Sequence, residues 1–184
     1  MNKGKILTAD PLKSLDEVKR VKTALDEDPR GYALFCVGVN SALRASDILK
    51  LKRKDLKGNE LFVREKKTGK LRRITLNAPT VDAIQKYLAT RTDMEEWMFV
   101  GQRGKLTHGY LSKLVKTWFE AAGITEGRHS THSMRKTFVR MQHLEFKVPL
   151  GTLMTALRHS TEQQTLHYAG INSQDVEEAY ANEI

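Results

Sequence analysis

Apolar residues recur along most of this chain at three- and four-residue spacing, the pattern of helices that bury one face. The first such stretch opens at Ser14, with Glu17 three residues on. This is a capping-box pattern, in which both side chains satisfy free backbone donors, and it predicts a helix running towards Asp26. A second apolar run, 31–43, leads into 44–51. There Ile48 and Leu51 share one helical face while Arg44 and Asp47 share another, close enough to touch. The period then changes. Residues 60–65 and 71–76 read as strands joined by the glycine-containing loop Lys66-Lys-Thr-Gly-Lys70, and no other sheet is expected. Pro79 opens a helix towards Thr90. Thr107 caps another, whose stripe Leu111, Leu114, Val115, Trp118 and Phe119 belongs in the core and which Gly123 ends. A helix over 150–157 and a last short one after Ser173 complete the reading. The prediction is a mainly α domain with a small antiparallel sheet (α+β), one unit over 1–184, with no repeat or linker to divide it.

The 184 residues are 40% hydrophobic and 29% charged, which fits a folded core rather than a disordered chain or a disulfide scaffold. The single cysteine, Cys36, lies in an apolar run and reads as a small buried hydrophobe. No stretch approaches the roughly 20 apolar residues that cross a bilayer, and no signal peptide is evident, so a cytoplasmic location is expected. Charge adds a functional hint. Lys and Arg number 31 against 22 Asp and Glu, a net +9, which is the footprint of a nucleic-acid binder. Over 50–73 a dense run of Lys and Arg is opposed only by Asp55, Glu60 and Glu65. Lysines on a hairpin also protect an exposed edge from mispairing, so solvated charge and phosphate contact both explain the run. Lys66, Lys70, Arg72 and Arg73 are the candidate DNA contacts.

Three segments carry sharper information: Ala42-Leu-Arg-Ala-Ser-Asp-Ile-Leu-Lys-Leu, His132-Ser-Met-Arg-Lys-Thr-Phe, and Leu157-Arg-His-Ser followed, six residues on, by His-Tyr-Ala. Together with Lys67-Thr-Gly in the hairpin, they resemble, in order and spacing, the signature boxes of the tyrosine recombinase (phage integrase) catalytic domain. The likeness runs from about Leu7 to the end. It implies that fold and a site-specific recombinase, of integrase or invertase type, that cleaves and rejoins DNA through a 3′-phosphotyrosine. By the same resemblance Arg44 and Arg135 clamp the scissile phosphate, Lys67 protonates the departing 5′ oxygen, and His132 and His159 assist. Tyr168 is the nucleophile, and Asp47 positions Arg44. No ATP, metal or other cofactor is implied. The implied partner is double-stranded DNA, with a homotetramer on paired recombination sites and accessory DNA-bending proteins as further candidates, and residues 173–184 either dock on a neighbouring protomer or pack on their own subunit. The family's N-terminal core-binding domain is expected to be absent. One departure stands out: the family position before the last histidine is usually glycine, and here it is Arg158.

The residue types suit the chemistry on their own terms. Exchange of one phosphodiester oxygen for another builds charge on the nonbridging oxygens, and guanidinium groups, always charged and bidentate, hold such a group in one orientation. A phenol ionises near pH 10, so a tyrosine nucleophile needs cations or a base beside it. Histidine exchanges protons near neutrality, and a lysine on a hairpin can deliver a proton to a leaving group. Taken singly, Tyr168 reads as a packing residue with a polar tip and Arg44 with Asp47 as a surface ion pair. It is the set that points to catalysis. His129 beside His132 invites a metal reading, but no zincin motif or cysteine cluster accompanies it. Type IB topoisomerase activity, a non-catalytic DNA-binding module of the same fold, and a basic structural or protein-interaction domain are the alternatives.

Overall fold

The computed structural model describes residues 9–64, 69–102, 104–170 and 180–181. In chain order the elements are α1 (Leu15–Ala24), α2 (Pro29–Asn40), α3 (Ala45–Ile48), a 3-10 turn (Arg53–Asp55), β1 (Leu56–Lys57), β2 (Glu60–Arg64), β3 (Leu71–Thr75) and α4 (Ala78–Ala89). There follow β4 (Val100–Gly101), β5 (Gly104–Lys105), α5 (His108–Ala121), α6 (Thr131–Arg140), which runs on as a π-helix (Met141–Glu145), then α7 (Leu150–Leu157) and α8 (Glu162–Ala169).

Local chemistry sets the helix starts. Ser14 Oγ accepts the Glu17 N–H at 3.2 Å, while the Glu17 carboxylate takes the Lys13 N–H at 2.6 Å, one residue earlier than a capping box would place it. Asp28 caps α2 through the Gly31 N–H, Asn77 caps α4 through that of Thr80, and Thr107 caps α5 through that of Tyr110. Two expectations are corrected. Arg44 does not lie on one helix with Asp47: α2 stops at Asn40, Ala42 takes a left-handed backbone (φ 55°), and α3 starts afresh after Arg44. The hairpin is also not the only sheet. β1 pairs antiparallel with β2 to make the order β1-β2-β3, and β4 pairs with β5. Strands of two residues are too short to display an alternating pattern, which is why the sequence hides them. The helix expected after Ser173 lies outside the described residues, apart from 180–181.

The core is built on α2, whose residues from Ala33 to Val39 are all buried. Phe35 meets Phe119 of α5 edge to face, with ring centroids 6.3 Å apart, and the stripe read from α5 is buried as expected, with Leu114 packed on its margin. A second, smaller cluster of Ala42, Val139, Leu153, Leu157 and Ala169, flanked by Tyr168, fixes α6, α7 and α8 against one another. α6 therefore sits between α2 and α8 and carries the core across to the tyrosine. α2 and α6 approach closely at Gly38, where an added Cβ would lie 2.4 Å from Met134 Sδ and 3.0 Å from Met134 Cβ. Gly38→Ala is expected to overpack this contact and lower stability by about 1–3 kcal/mol in urea denaturation. An unchanged midpoint would show that α6 shifts freely on α2.

Candidate active site

Arg135 sits one turn into α6, after the Ser130 cap, and is 2% exposed. Its Nη1 donates to the carbonyl of Ala42 and its Nη2 to that of Leu157, at 2.9 Å for the latter. Nε is buried with no partner among the described residues. The two carbonyls fix the plane of the fork and leave Nε–H and one hydrogen on each Nη for an anion. Burial first, and then the charge of Arg44, push its pKa down to about 10, so it remains a cation at neutral pH.

Arg44 is exposed just before α3, in extended backbone (φ −75°, ψ 149°), so it does not share a helical face with Asp47. Asp47 turns inward, 6% exposed, and its charge favours that of Arg135. The expected contact within one helix is thereby replaced: the carboxylate supports the buried arginine of the pair. On β3, side chains alternate between faces. Arg72 lies half-buried on the side whose charge acts on Arg135, while Arg73 is on the other face, paired with Glu60 at 3.1 Å. Lys70 is exposed at the foot of the hairpin, and Lys66 and Lys67 lie outside the described residues.

His132 opens the exposed end of α6, its N–H held by Ser130 Oγ at 3.3 Å. Its pKa falls below the ordinary 6.5 through desolvation first, then through His108, Arg135, Lys136 and Arg44. His159 follows α7. Arg158 takes the left-handed cap (φ 53°, ψ 47°), and the His159 N–H closes the turn on the Met154 carbonyl at 3.0 Å. The backbone that glycine usually supplies is thus adopted by an arginine, at a cost of about 1–2 kcal/mol. His159 Nδ1 and the fully buried Thr165 Oγ1 are 3.1 Å apart, a hydrogen bond that fixes the ring. Burial, then Arg135 and Arg44, push the His159 pKa down to about 4.

Tyr168, half-buried on α8, stands where these groups meet. The His159 ring lies edge-on to it with centroids 4.8 Å apart, and the Arg135 guanidinium and the Lys136 ammonium are each 5.7 Å from its centroid. The structure thus brings together Arg44, Asp47, Arg72, His132, Arg135, His159 and Tyr168, and leaves Arg73 on the far face of its strand. Sequence reasoning gave no role to Lys136, His108 or Thr165. His108 Nε2 is 3.2 Å from Thr131 Oγ1, beside His132, a proximity with no spacing signal because 23 residues separate the pair. Lys136 stood inside a quoted motif, and only its 5% exposure marks it out.

Two arginines, a buried lysine and two histidines of lowered pKa thus surround one half-buried tyrosine. Residues 13–175 match the phage integrase family, and the chain belongs to that family. The probable integrase/recombinase YoeC of Bacillus subtilis (strain 168) is 32% identical over 174 residues, covering 92% of this chain and 94% of that protein. Among solved structures, that of XerA recombinase superposes with a TM-score of 0.79 at 22% identity, over 98% of this chain and 65% of that one. That of XerH site-specific recombinase, bound to palindromic difH substrate in a post-cleavage complex, gives 0.76 at 22% identity, over 94% of this chain and 53% of that one. The fold is the tyrosine recombinase catalytic fold, and the chain spans about half to two-thirds of the length of these two structures.

The His159 environment is directly measurable. In ring-proton NMR titration its midpoint is expected near pH 4 rather than at the ordinary 6.5. The unfolded chain takes up this proton first, so stability carried by His159 is present above about pH 6.5 and is lost as pH falls towards 4. A midpoint at or above 6.5 would mean that burial and the arginines do not act on this ring.

Proposed function

We propose that this protein is a site-specific DNA recombinase in which Tyr168 cleaves and rejoins DNA strands. The observation that carries the reading is the convergence of Arg135, Lys136 and His159 on the Tyr168 ring, with Arg44 close enough to depress the pKa of both Arg135 and His159. In the reaction, the Tyr168 oxygen attacks the scissile phosphorus, forming a phosphotyrosine bond to the 3′ strand end, and the bond to the 5′ oxygen breaks. Lys67 gives that oxygen its proton, while the phenol proton passes to a base in the site. His159 suits that part, being neutral at pH 7.

Arg44 and Arg135 take the charge that develops on the nonbridging oxygens, with Asp47 supporting them and His132 donating a further hydrogen bond. The phosphotyrosine conserves the bond energy, so a 5′-hydroxyl from another strand reverses the attack without ATP or metal. Lys66, Lys70 and Arg72 contact the flanking phosphates, binding that weakens steeply with salt, while Arg73, paired with Glu60 on the other face of β3, does not. The partner is double-stranded DNA, and exchange between duplexes takes a homotetramer on paired sites, with residues 173–184 docking on a neighbour and DNA-bending proteins assisting. The chain supplies the catalytic domain and acts in the cytoplasm, where its DNA lies.

The test is to incubate the protein with fragmented genomic DNA from its source, denature rapidly, and sequence the fragments retained covalently on protein. Adducts at recurring sites are expected, with Tyr168→Phe losing them by at least about a thousandfold. Adducts that persist in Tyr168→Phe, or DNA binding with none in the wild type at low salt, would contradict the assignment.

A further inference from the structure

α6 does more than present Arg135. Lys136 is next in sequence and Arg140 lies one turn beyond it, and both turn to α8, the helix that carries Tyr168. Arg140 Nη1 donates to the main-chain carbonyls of Ala169 and Gly170, both at 3.2 Å, and Arg140 Nε reaches the Lys13 carbonyl at 3.5 Å. These are the carbonyls left free where α8 ends, and a guanidinium there both satisfies them and matches the negative end of the helix. The backbone is pressed into this seat. Gly170 is left-handed (φ 69°), and a Cβ added to it would lie 3.2 Å from Pro11 Cγ and 3.5 Å from Arg140 Nη1. α8 has only eight residues, of which Thr165 and Ala169 are buried, so it needs an external hold to keep one position.

Lys136 supplies the second contact. Its side chain is almost wholly buried, and its ammonium stands over the Tyr168 ring. Burying an ammonium is costly, and a lysine that served packing alone would be replaced by an apolar chain with no loss.

We propose that Lys136 and Arg140 are positioning residues for Tyr168. Arg140 grips the last turn of α8 by its carbonyls, and Lys136 lays a cation against the phenol ring, so that Tyr168 stays in front of Arg135 and His159 of its own protomer. The proposal rests on Tyr168 being the nucleophile, but the seat itself is measurable without catalysis.

Two readouts on the full chain separate the questions. The first is the His159 ring-proton shift, which feels the ring current of Tyr168 at 4.8 Å between centroids. In Arg140→Ala it is expected to move towards its value in Tyr168→Ala, and in Arg140→Lys to return part of the way. The second is the rate of covalent adduct formation on the captured DNA fragments. It should fall about 10- to 100-fold in Arg140→Ala with DNA affinity unchanged, the scale of loss for a misplaced reacting group. Lys136→Met should slow adduct formation while leaving the protein at least as stable to urea, opposite signs that a packing role does not give. If the His159 signals stay in place, the seat is overturned. If DNA affinity falls in step with adducts, the two residues are phosphate contacts and the proposal fails. If the wild type forms no Tyr168-dependent adducts, the nucleophile assignment fails, while the ring shifts still decide the seat.

Discussion

A full positive charge with 2% of its surface exposed must find hydrogen bonds inside the protein, and the way Arg135 finds them dictates much of the surrounding structure. Its acceptors are the carbonyls of Ala42, 93 residues away, and of Leu157, 22 residues away, so one side chain joins the turn after α2, the middle of α6 and the end of α7. Both carbonyls belong to turns with a left-handed, non-glycine backbone: Ala42 itself at φ 55°, and Leu157 immediately before Arg158 at φ 53°. Each such residue costs about 1–2 kcal/mol. Hydrogen bonds to a charged group contribute on a similar scale, about 1.5–3 kcal/mol each, which offsets that strain. The same turns deliver the rest of the site, since Arg44 follows the first and His159 the second.

The site is electrostatically unfinished by itself. Arg44 and Arg72 both act against the charge of Arg135, and Asp47 is the carboxylate that acts for it. Lys136 is depressed by burial close by, and His132 and His159 are kept from protonating. A phosphodiester placed among these groups relieves their mutual repulsion, and the more so as charge grows on its nonbridging oxygens. The histidines, held below their ordinary pKa, add little to that repulsion at neutral pH.

Much of this was legible in the sequence. The α5 stripe and the caps at Ser14 and Thr107 follow from spacing that depends on local geometry, and the ordered boxes carrying Arg44, His132, Arg135, His159 and Tyr168 are legible through their resemblance to the family's motifs. The rest depends on tertiary contact. The left-handed turn at Ala42 breaks the helix that would have paired Arg44 with Asp47, and an alanine gives no sign of it. β1, β4 and β5 are too short for periodicity. Lys136 and Arg140 carry no signal in the sequence, and only the docking of α8 shows what they face. Glycine in place of Arg158 would have advertised the left-handed cap, whereas arginine conceals it.

On the proposed mechanism, Arg135 acts through the orientation of its fork as well as its charge. The most direct measurement is single-turnover adduct formation by Arg135→Lys on DNA fragments captured by the wild type, with DNA affinity measured in parallel. Lysine keeps the charge but cannot bridge the Ala42 and Leu157 carbonyls while presenting further donors in a fixed plane. Affinity close to that of the wild type with adduct formation reduced by at least about a hundredfold is the predicted result. Adduct formation at the wild-type rate would show that charge alone suffices and that the carbonyl-held geometry is incidental.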